Sequence, residues 1–333
     1  MKFITPSYYR FFRCTADKCS DNCCIGWEIE IDDATATLYR SIDGNFGDRL
    51  RKNITTDNCF ILQNDRCPFL NETGLCDIII HCGEDHLCQI CRDHPRYFEW
   101  FPDRKEGGLG LSCEEAARLI LTTDRVTYEQ AETDEEPEDA DEELFSFLRA
   151  IREDFFAVLD DGSLSLQEAL TVILDKAVSA QQQADGDCCE AAPGGDIASL
   201  LTLFADFEPI DGEWERELAG LHQTADSLAA LPPLLQQEEA YMRNLCRYFL
   251  WRYLLKSVFD GLLLPRVKFA LISAWFIRVM CAGSHDLPVW IQKSKLYSKE
   301  MEYSSENREL FYDFTFEKGC LSANCIKQLL RNM

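Results

Sequence analysis

Eleven of the seventeen cysteines in this 333-residue chain fall within its first 113 residues, at Cys14, Cys19, Cys23, Cys24, Cys59, Cys67, Cys76, Cys82, Cys88, Cys91 and Cys113. Thiols gathered in one stretch of chain serve few ends: disulfides, zinc, iron–sulfur clusters or redox chemistry. The same stretch has no long apolar repeat of helix or strand type. Its order must come from something other than a large core, and a metal centre supplies folding free energy directly. Short pieces are expected here: a half-buried strand at Trp27–Ile31, where apolar and polar residues alternate, and a hairpin turn at Asn71-Glu72-Thr73-Gly74 ahead of Leu75-Cys76.

The balance of charge narrows the partners. Asp and Glu outnumber Lys and Arg by 58 to 33, a formal net charge of -25. Sequence-independent nucleic-acid binding needs basic residues to displace counterions, so this balance argues against nucleic acid. It argues equally against an anionic membrane surface and suits a basic or amine-bearing substrate. No signal-peptide pattern opens the chain. The most apolar segment, Val267 to Cys281, is broken by Lys268 and Arg278 and predicts a buried core helix, not a membrane span. A cytoplasmic chain is the expectation, and in that compartment grouped thiols bind metal more readily than they form bridges.

Three regions follow: a cysteine-rich metal-binding region over 1–131, with residues 114–131 helical at its end; an acidic linker or loop over 132–143; and a helical domain over 144–333. The acidic run from Glu132 to Glu143 holds nine carboxylates, no basic residue and a proline, which suits a solvated segment. From Leu144 the apolar residues recur at helical spacing through Leu148, Ile151, Phe155 and Leu159. Further helices are predicted over 164–183, 197–208, 211–230, 235–260 and 267–281, with stops at Gly261/Pro265 and Gly283. The fold class is mainly α: an irregular N-terminal metal-binding region with short strands, packed on a C-terminal helical bundle.

The cysteines form four groups: Cys14-x4-Cys19-x3-Cys23-Cys24; Cys67-Pro68-Phe69-Leu70 with Cys76; Cys88-x2-Cys91 running into Arg92-Asp93-His94-Pro95-Arg96; and Cys113. Short spacings let one tight turn present two sulfurs with backbone amides nearby. Four sulfurs make one tetrahedral zinc site or hold one 4Fe-4S cluster. More than four are offered, so either there are two centres or some cysteines are buried structural residues. His81, His86 and His94 lie in the same stretch, without a paired-histidine spacing. The C-x3-C-x2-C signature of radical chemistry begins at Cys19-x3-Cys23 but meets Gly26 where its third cysteine belongs. Gly107-Gly108-Leu109-Gly110 follows no convincing strand, so a Rossmann site is not expected.

Phe12-Arg13-Cys14 through Cys23-Cys24-x-Gly26-Trp27, then Cys67-Pro68-Phe69-Leu70 with Gly74-Leu75-Cys76, then Cys91 to Arg96, then Leu111-Ser112-Cys113-Glu114-Glu115 on to Leu121, together resemble the bacterial flagellin lysine-N-methylases. These belong to a wider group of zinc- or iron-chelating proteins named for a CxxCxxCC motif. The resemblance covers residues 11–121. It implies methyl transfer from S-adenosyl-L-methionine to flagellin lysines in a protein carrying a 4Fe-4S cluster, with zinc as the alternative metal. It implies metal ligands, four or more, among Cys14, Cys19, Cys23, Cys24, Cys67, Cys76, Cys91 and Cys113. Cys59, Cys82 and Cys88 fall outside the pattern.

Methyl transfer needs a deprotonated amine, an in-line donor and exclusion of water. Tyr97, Glu28 and Glu114 are the candidate proton acceptors. Arg92 and Arg96, beside Cys91, are candidates for holding the donor's carboxylate. Trp27, within an aromatic set that includes Tyr97, Phe98, Trp100 and Phe101, could shelter its adenine. Two other function classes compete: a non-enzymatic zinc- or iron-binding interaction module, and a redox sensor built on the vicinal pair Cys188-Cys189.

Overall fold

A computed structural model describes residues 1–20, 22–186, 190–224 and 231–331. Cys188 and Cys189 lie outside the described residues. In chain order the elements are β1 (Lys2–Pro6), α1 (Asp33–Ser41), α2 (Gly44–Lys52), α3 (Asp77–Cys82), α4 (Gln89–Asp93), β2 (Arg96–Trp100), β3 (Arg104–Leu109), α5 (Glu114–Thr122), β4 (Tyr128–Glu132), α6 (Glu142–Asp160), α7 (Leu166–Asp185), α8 (Ile197–Ala205), α9 (Gly212–Gln223), α10 (Gln236–Tyr253), α11 (Ser257–Asp260), α12 (Leu263–Met280), α13 (Leu287–Glu302), α14 (Ser305–Glu317) and α15 (Ala323–Leu330). The fold is mainly α with one small sheet, as the sequence predicts.

Contacts divide the chain into two units, one of residues 12–97 with 113–115 and one of residues 1–11, 98–112 and 116–333. The division differs from the one drawn from composition. β1 and β3 pair in parallel, Phe3 opposite Lys105, and β3 is tied to the helices by Glu106–Arg152 and by Trp251 Nε1 donating to the Gly107 carbonyl.

The smaller unit is built from turns and short helices around a compact core of Ile29, Ile31, Tyr39, Leu50, Phe60, Phe69 and Ile78, together with Cys67 and Cys88. Trp27–Ile31 alternates as expected, Ile29 and Ile31 buried and Glu28 and Glu30 exposed, but it makes isolated bridges and no continuous ladder. The predicted turn is present. Asn71 Oδ1 accepts from the Thr73 and Leu75 amides, Gly74 takes φ +79, and Leu70 bridges Cys76. Asp32 caps α1, its Oδ1 accepting from the Thr35 amide at 2.9 Å.

The larger unit carries the four-stranded sheet, in the order β2-β3-β1-β4, and the helices from α6 onward. Here the sequence reading needs two corrections. Residues 114–131 are not one helix: α5 stops at Thr122, and Tyr128–Glu132 forms β4, antiparallel to β1. The Thr122-Thr123-Asp124 run withdraws helix propensity, and Val126-Thr127-Tyr128 supplies strand formers. Pro265 does not stop a helix: α12 begins at Leu263 and holds Pro265 in its first turn, where an amide has no intrahelical partner to lose. The acidic segment is anchored at Glu135, which accepts from Trp100 Nε1 (2.6 Å) and Lys105 Nζ (2.5 Å).

Every residue of α12 is buried, the expected property of a helix apolar all round. Two of its three cations are paired in place, Lys268 with Glu190 and Arg266 with Asp260, and Arg278 donates to the Pro232 carbonyl. Two further buried charge groups hold the unit. Glu106 on β3 and Arg152 on α6 make a two-pronged pair at 2.6 and 2.7 Å. Glu302 accepts from Tyr248, Tyr253 and Arg252 at 2.8 to 2.9 Å.

Glu300 differs from these. Only 1% exposed, it takes the Ile210 amide on Oε2, and Oε1 has no hydrogen-bond partner. Burial, opposed by that amide and reinforced by Asp211 and Glu215, pushes its carboxyl up from 4.5 to about 7. The folded state then binds the Glu300 proton more tightly than the unfolded state. Stability therefore falls as pH rises from 4.5 to about 7 and levels off above it. Glu300→Gln should flatten this slope and raise stability at pH 8 by up to about 3 kcal/mol. Urea unfolding of both proteins at pH 5 and pH 8 checks it.

Candidate metal centre

Residues 12–97 bring a set of sulfurs into one neighbourhood. Cys24 and Cys67 are joined through the backbone, the Cys67 amide donating to the Cys24 carbonyl at 2.9 Å, beside the Ile25–Arg66 bridge. Cys76 is delivered by the hairpin that pairs Leu70 with Cys76. Cys88 and Cys91 bracket the first turn of α4, and their side chains are hydrogen-bonded to one another. The Cys24 and Cys23 side chains are hydrogen-bonded likewise. Cys67 and Cys88 are buried; Cys24, Cys76 and Cys91 pack against the same core.

The sulfurs also act on one another electrostatically. The hydrogen bond to Cys23 and burial push Cys24 up, and charge on Cys67 and Cys76 adds to this. The bond to Cys88 and burial raise Cys91, with contributions from Cys24 and Cys67. Burial pushes Cys67 up to about 11, and Cys76 and Cys88 both act on it. Cys88 is lowered, first by the Cys91 thiol and also by the Cys91 amide.

Backbone amides are aimed at these sulfurs. Cys67 receives the amides of Phe69 and Leu70, and Cys76 those of Ile78 and Ile79. Amides two and three residues beyond a cysteine stabilise the thiolate form, which is the form that binds metal. All the described cysteines are free of disulfides. Among the described residues no three His, Cys, Asp or Glu side chains already stand at metal-coordinating geometry. The donor set nonetheless fits a soft metal: several partly desolvated sulfurs, mutually repulsive once ionised, each with a use for a cation.

The sequence-predicted ligands thus separate. Cys24, Cys67, Cys76 and Cys91 come together, with Cys23 bonded to Cys24. Cys88, set aside in the sequence, joins them; its spacing, C-x2-C with Cys91, was the available signal. Cys14 is exposed and its sulfur accepts from the Ala16 amide at 3.4 Å. Cys19 lies 3.6 Å from Glu114 Oε2, which also takes the Ser20 amide and hydroxyl, next to Cys113 in the chain.

The other candidates take varied positions. Glu114 is engaged by Ser20 and Cys19. Glu28 is exposed and lies near Cys59, whose thiol donates to the Asp57 carbonyl at 3.8 Å. Tyr97 lies in β2. Trp27 donates to the Cys23 carbonyl at 2.6 Å and packs on His94, their rings 6.2 Å apart. Burial lowers His94 to about 4 and keeps it neutral. Arg96 stands over the Phe12 ring and donates to the Arg92 carbonyl. Trp27 and Arg96 thus flank the His94-Pro95 turn, Arg96 reaching the Arg92 carbonyl, while the Arg92 guanidinium turns away to the Leu87 carbonyl at 2.8 Å. His81 stacks on Phe46 at 4.4 Å. Phe98, Trp100 and Phe3 surround Lys105 Nζ at 4.4 to 5.4 Å, so Phe98 and Trp100 are occupied by a side chain of this protein.

No protein-family model matches the chain, and no solved structure does. Over 138 residues, 36% of this chain, it is 29% identical to the flagellar biosynthetic protein FliU of Salmonella muenchen, 79% of which is covered. Over 138 residues it is 28% identical to proteins named lysine-N-methylase in Salmonella choleraesuis and Salmonella typhimurium. The chain spans about a third of the length of these two, 33% of each. Over 36% of its length, then, the chain is related to proteins named lysine-N-methylase and FliU.

Proposed function

We propose that the chain is a protein-lysine N-methyltransferase acting on flagellin, with S-adenosyl-L-methionine as methyl donor and a thiolate-bound metal centre, a 4Fe-4S cluster, in residues 12–97. The observation that carries the transferase reading is the 28% identity to proteins named lysine-N-methylase. The gathered sulfurs support the metal. Its ligands are four of Cys23, Cys24, Cys67, Cys76, Cys88 and Cys91.

When bound, such a cluster supplies a rigid covalent hub, with an iron able to act as a Lewis acid. The chain's own residues do the rest. Arg96, held over Phe12, offers a cation for a donor carboxylate, and Trp27 offers an aromatic face at the neighbouring His94; Arg92 is turned to the Leu87 carbonyl and takes no part. The acceptor amine, with an ordinary pKa of about 10.4, must lose its proton before it attacks. Desolvation favours that loss, and a nearby carboxylate or phenolate can accept the proton. Glu114 is poorly placed for this because Ser20 already holds it. Tyr97 and Glu28 remain.

The short coverage of the methylases favours one other reading, a non-enzymatic zinc- or iron-binding interaction module. Anaerobic purification separates the two. About four iron and four sulfide per chain support the cluster; colourless zinc protein supports the module. Flagellin incubated with the protein and S-adenosyl-L-methionine should gain methyl groups on lysine by mass spectrometry. No gain from cluster-loaded protein removes the enzyme.

A further inference from the structure

Helix α4 and its N-cap Cys88 run between the sulfur group and a surface cleft. Cys88 and Cys91 point inward to the sulfur group, and Cys88 is only 1% exposed. Gln89 and Arg92 point outward and line a cleft of about 360 Å³, whose other walls come from the start of α1 and from Asp85. The cleft has an apolar side, Ala34 and Leu38, with Leu38 37% exposed. It has an acidic side, Asp32, Asp85 and Asp93.

The charges in this cleft are unevenly satisfied. Asp32 is committed to the fold, each oxygen taking one amide at 2.9 Å, from Thr35 and from Gln89. Arg92, the cation of the cleft, turns back to the Leu87 carbonyl at 2.8 Å. Among the described residues Asp85 and Asp93 have no ion-pair partner. A cavity with a greasy wall and two uncompensated carboxylates matches one ligand shape: an aliphatic stem ending in a cation.

We propose that this cleft holds a lysine side chain of a peptide, its stem along Leu38 and Ala34 and its ammonium between Asp85 and Asp93. The inference rests on the methyltransferase reading for its biological meaning, though not for its geometry. Around α4 the sulfur and the cleft residues differ in exposure: Cys88, its N-cap, is buried, and Gln89 and Arg92 are exposed. Asp85 and Asp93 are positioning residues.

The test uses the full chain purified anaerobically and three synthetic peptides identical except for a central lysine, norleucine or glutamine. Binding is read by calorimetry at low ionic strength. The lysine peptide should bind and the other two should not. Asp85→Asn with Asp93→Asn should weaken lysine-peptide binding at least about tenfold with metal content unchanged. Ala34→Trp, which fills the cleft and leaves its charge alone, should do the same. Undiminished binding by Ala34→Trp would overturn the cleft and leave only a general acidic field. So would equal binding of the norleucine peptide. Cleft binding without methyl transfer refutes the enzyme alone; full methyl transfer by both variants refutes the cleft alone.

Discussion

Cys88→Ser is expected to release nearly all bound metal, while Cys14→Ser keeps it. Cys88 is drawn toward its ionised form by the Cys91 thiol and amide, while burial and the nearby Asp32 resist. Cys14 is exposed. Structural metal sites contribute about 10–16 kcal/mol of apparent free energy in small domains. A core as small as that of residues 12–97 has little to replace it, so this unit should become protease-sensitive in the variant. Metal analysis with limited proteolysis of both variants checks the prediction. Full metal content in Cys88→Ser would show that the ligands have been wrongly chosen.

The second large effect is expected in the other unit. Glu106→Ala should destabilise it by about 3–5 kcal/mol, because it strands the Arg152 guanidinium in the interior. Both residues are almost fully buried, and Arg152 lies over the Trp251 ring at 4.2 Å. Replacing both partners, Glu106→Leu with Arg152→Met, should recover most of the loss, since an apolar pair leaves no bare charge. Chemical denaturation of the single and double variants measures this. A double variant as unstable as the single would mean that packing around Glu106, not the orphaned charge, sets the cost.

Local pattern made much of the larger unit legible. The face through Leu144, Leu148, Ile151, Phe155 and Leu159 became α6, and Ser165 with Glu168 formed a capping box at the start of α7. What escaped was long-range. Tyr128–Glu132 is a strand only because β1, more than 120 residues earlier, offers an edge to pair with. Pro265 looked like a stop because its place in the first turn depends on where α12 begins. In the smaller unit the sequence located the sulfur-rich region but not the membership of the group. Cys88 and Cys91 meet Cys24 and Cys67 only after the Asn71–Gly74 turn and α3 fold the chain back. The cleft outside α4 had no sequence signal, since its walls lie some fifty residues apart.

The complete enclosure of α12 sets the clock for opening the larger unit. Its backbone amides can meet solvent only when α7, α10, α13 and α14, which pack on it, come away together. Deuterium uptake along Leu263–Met280 should therefore be the slowest in the chain and report the global unfolding free energy, while frayed ends elsewhere exchange by local events.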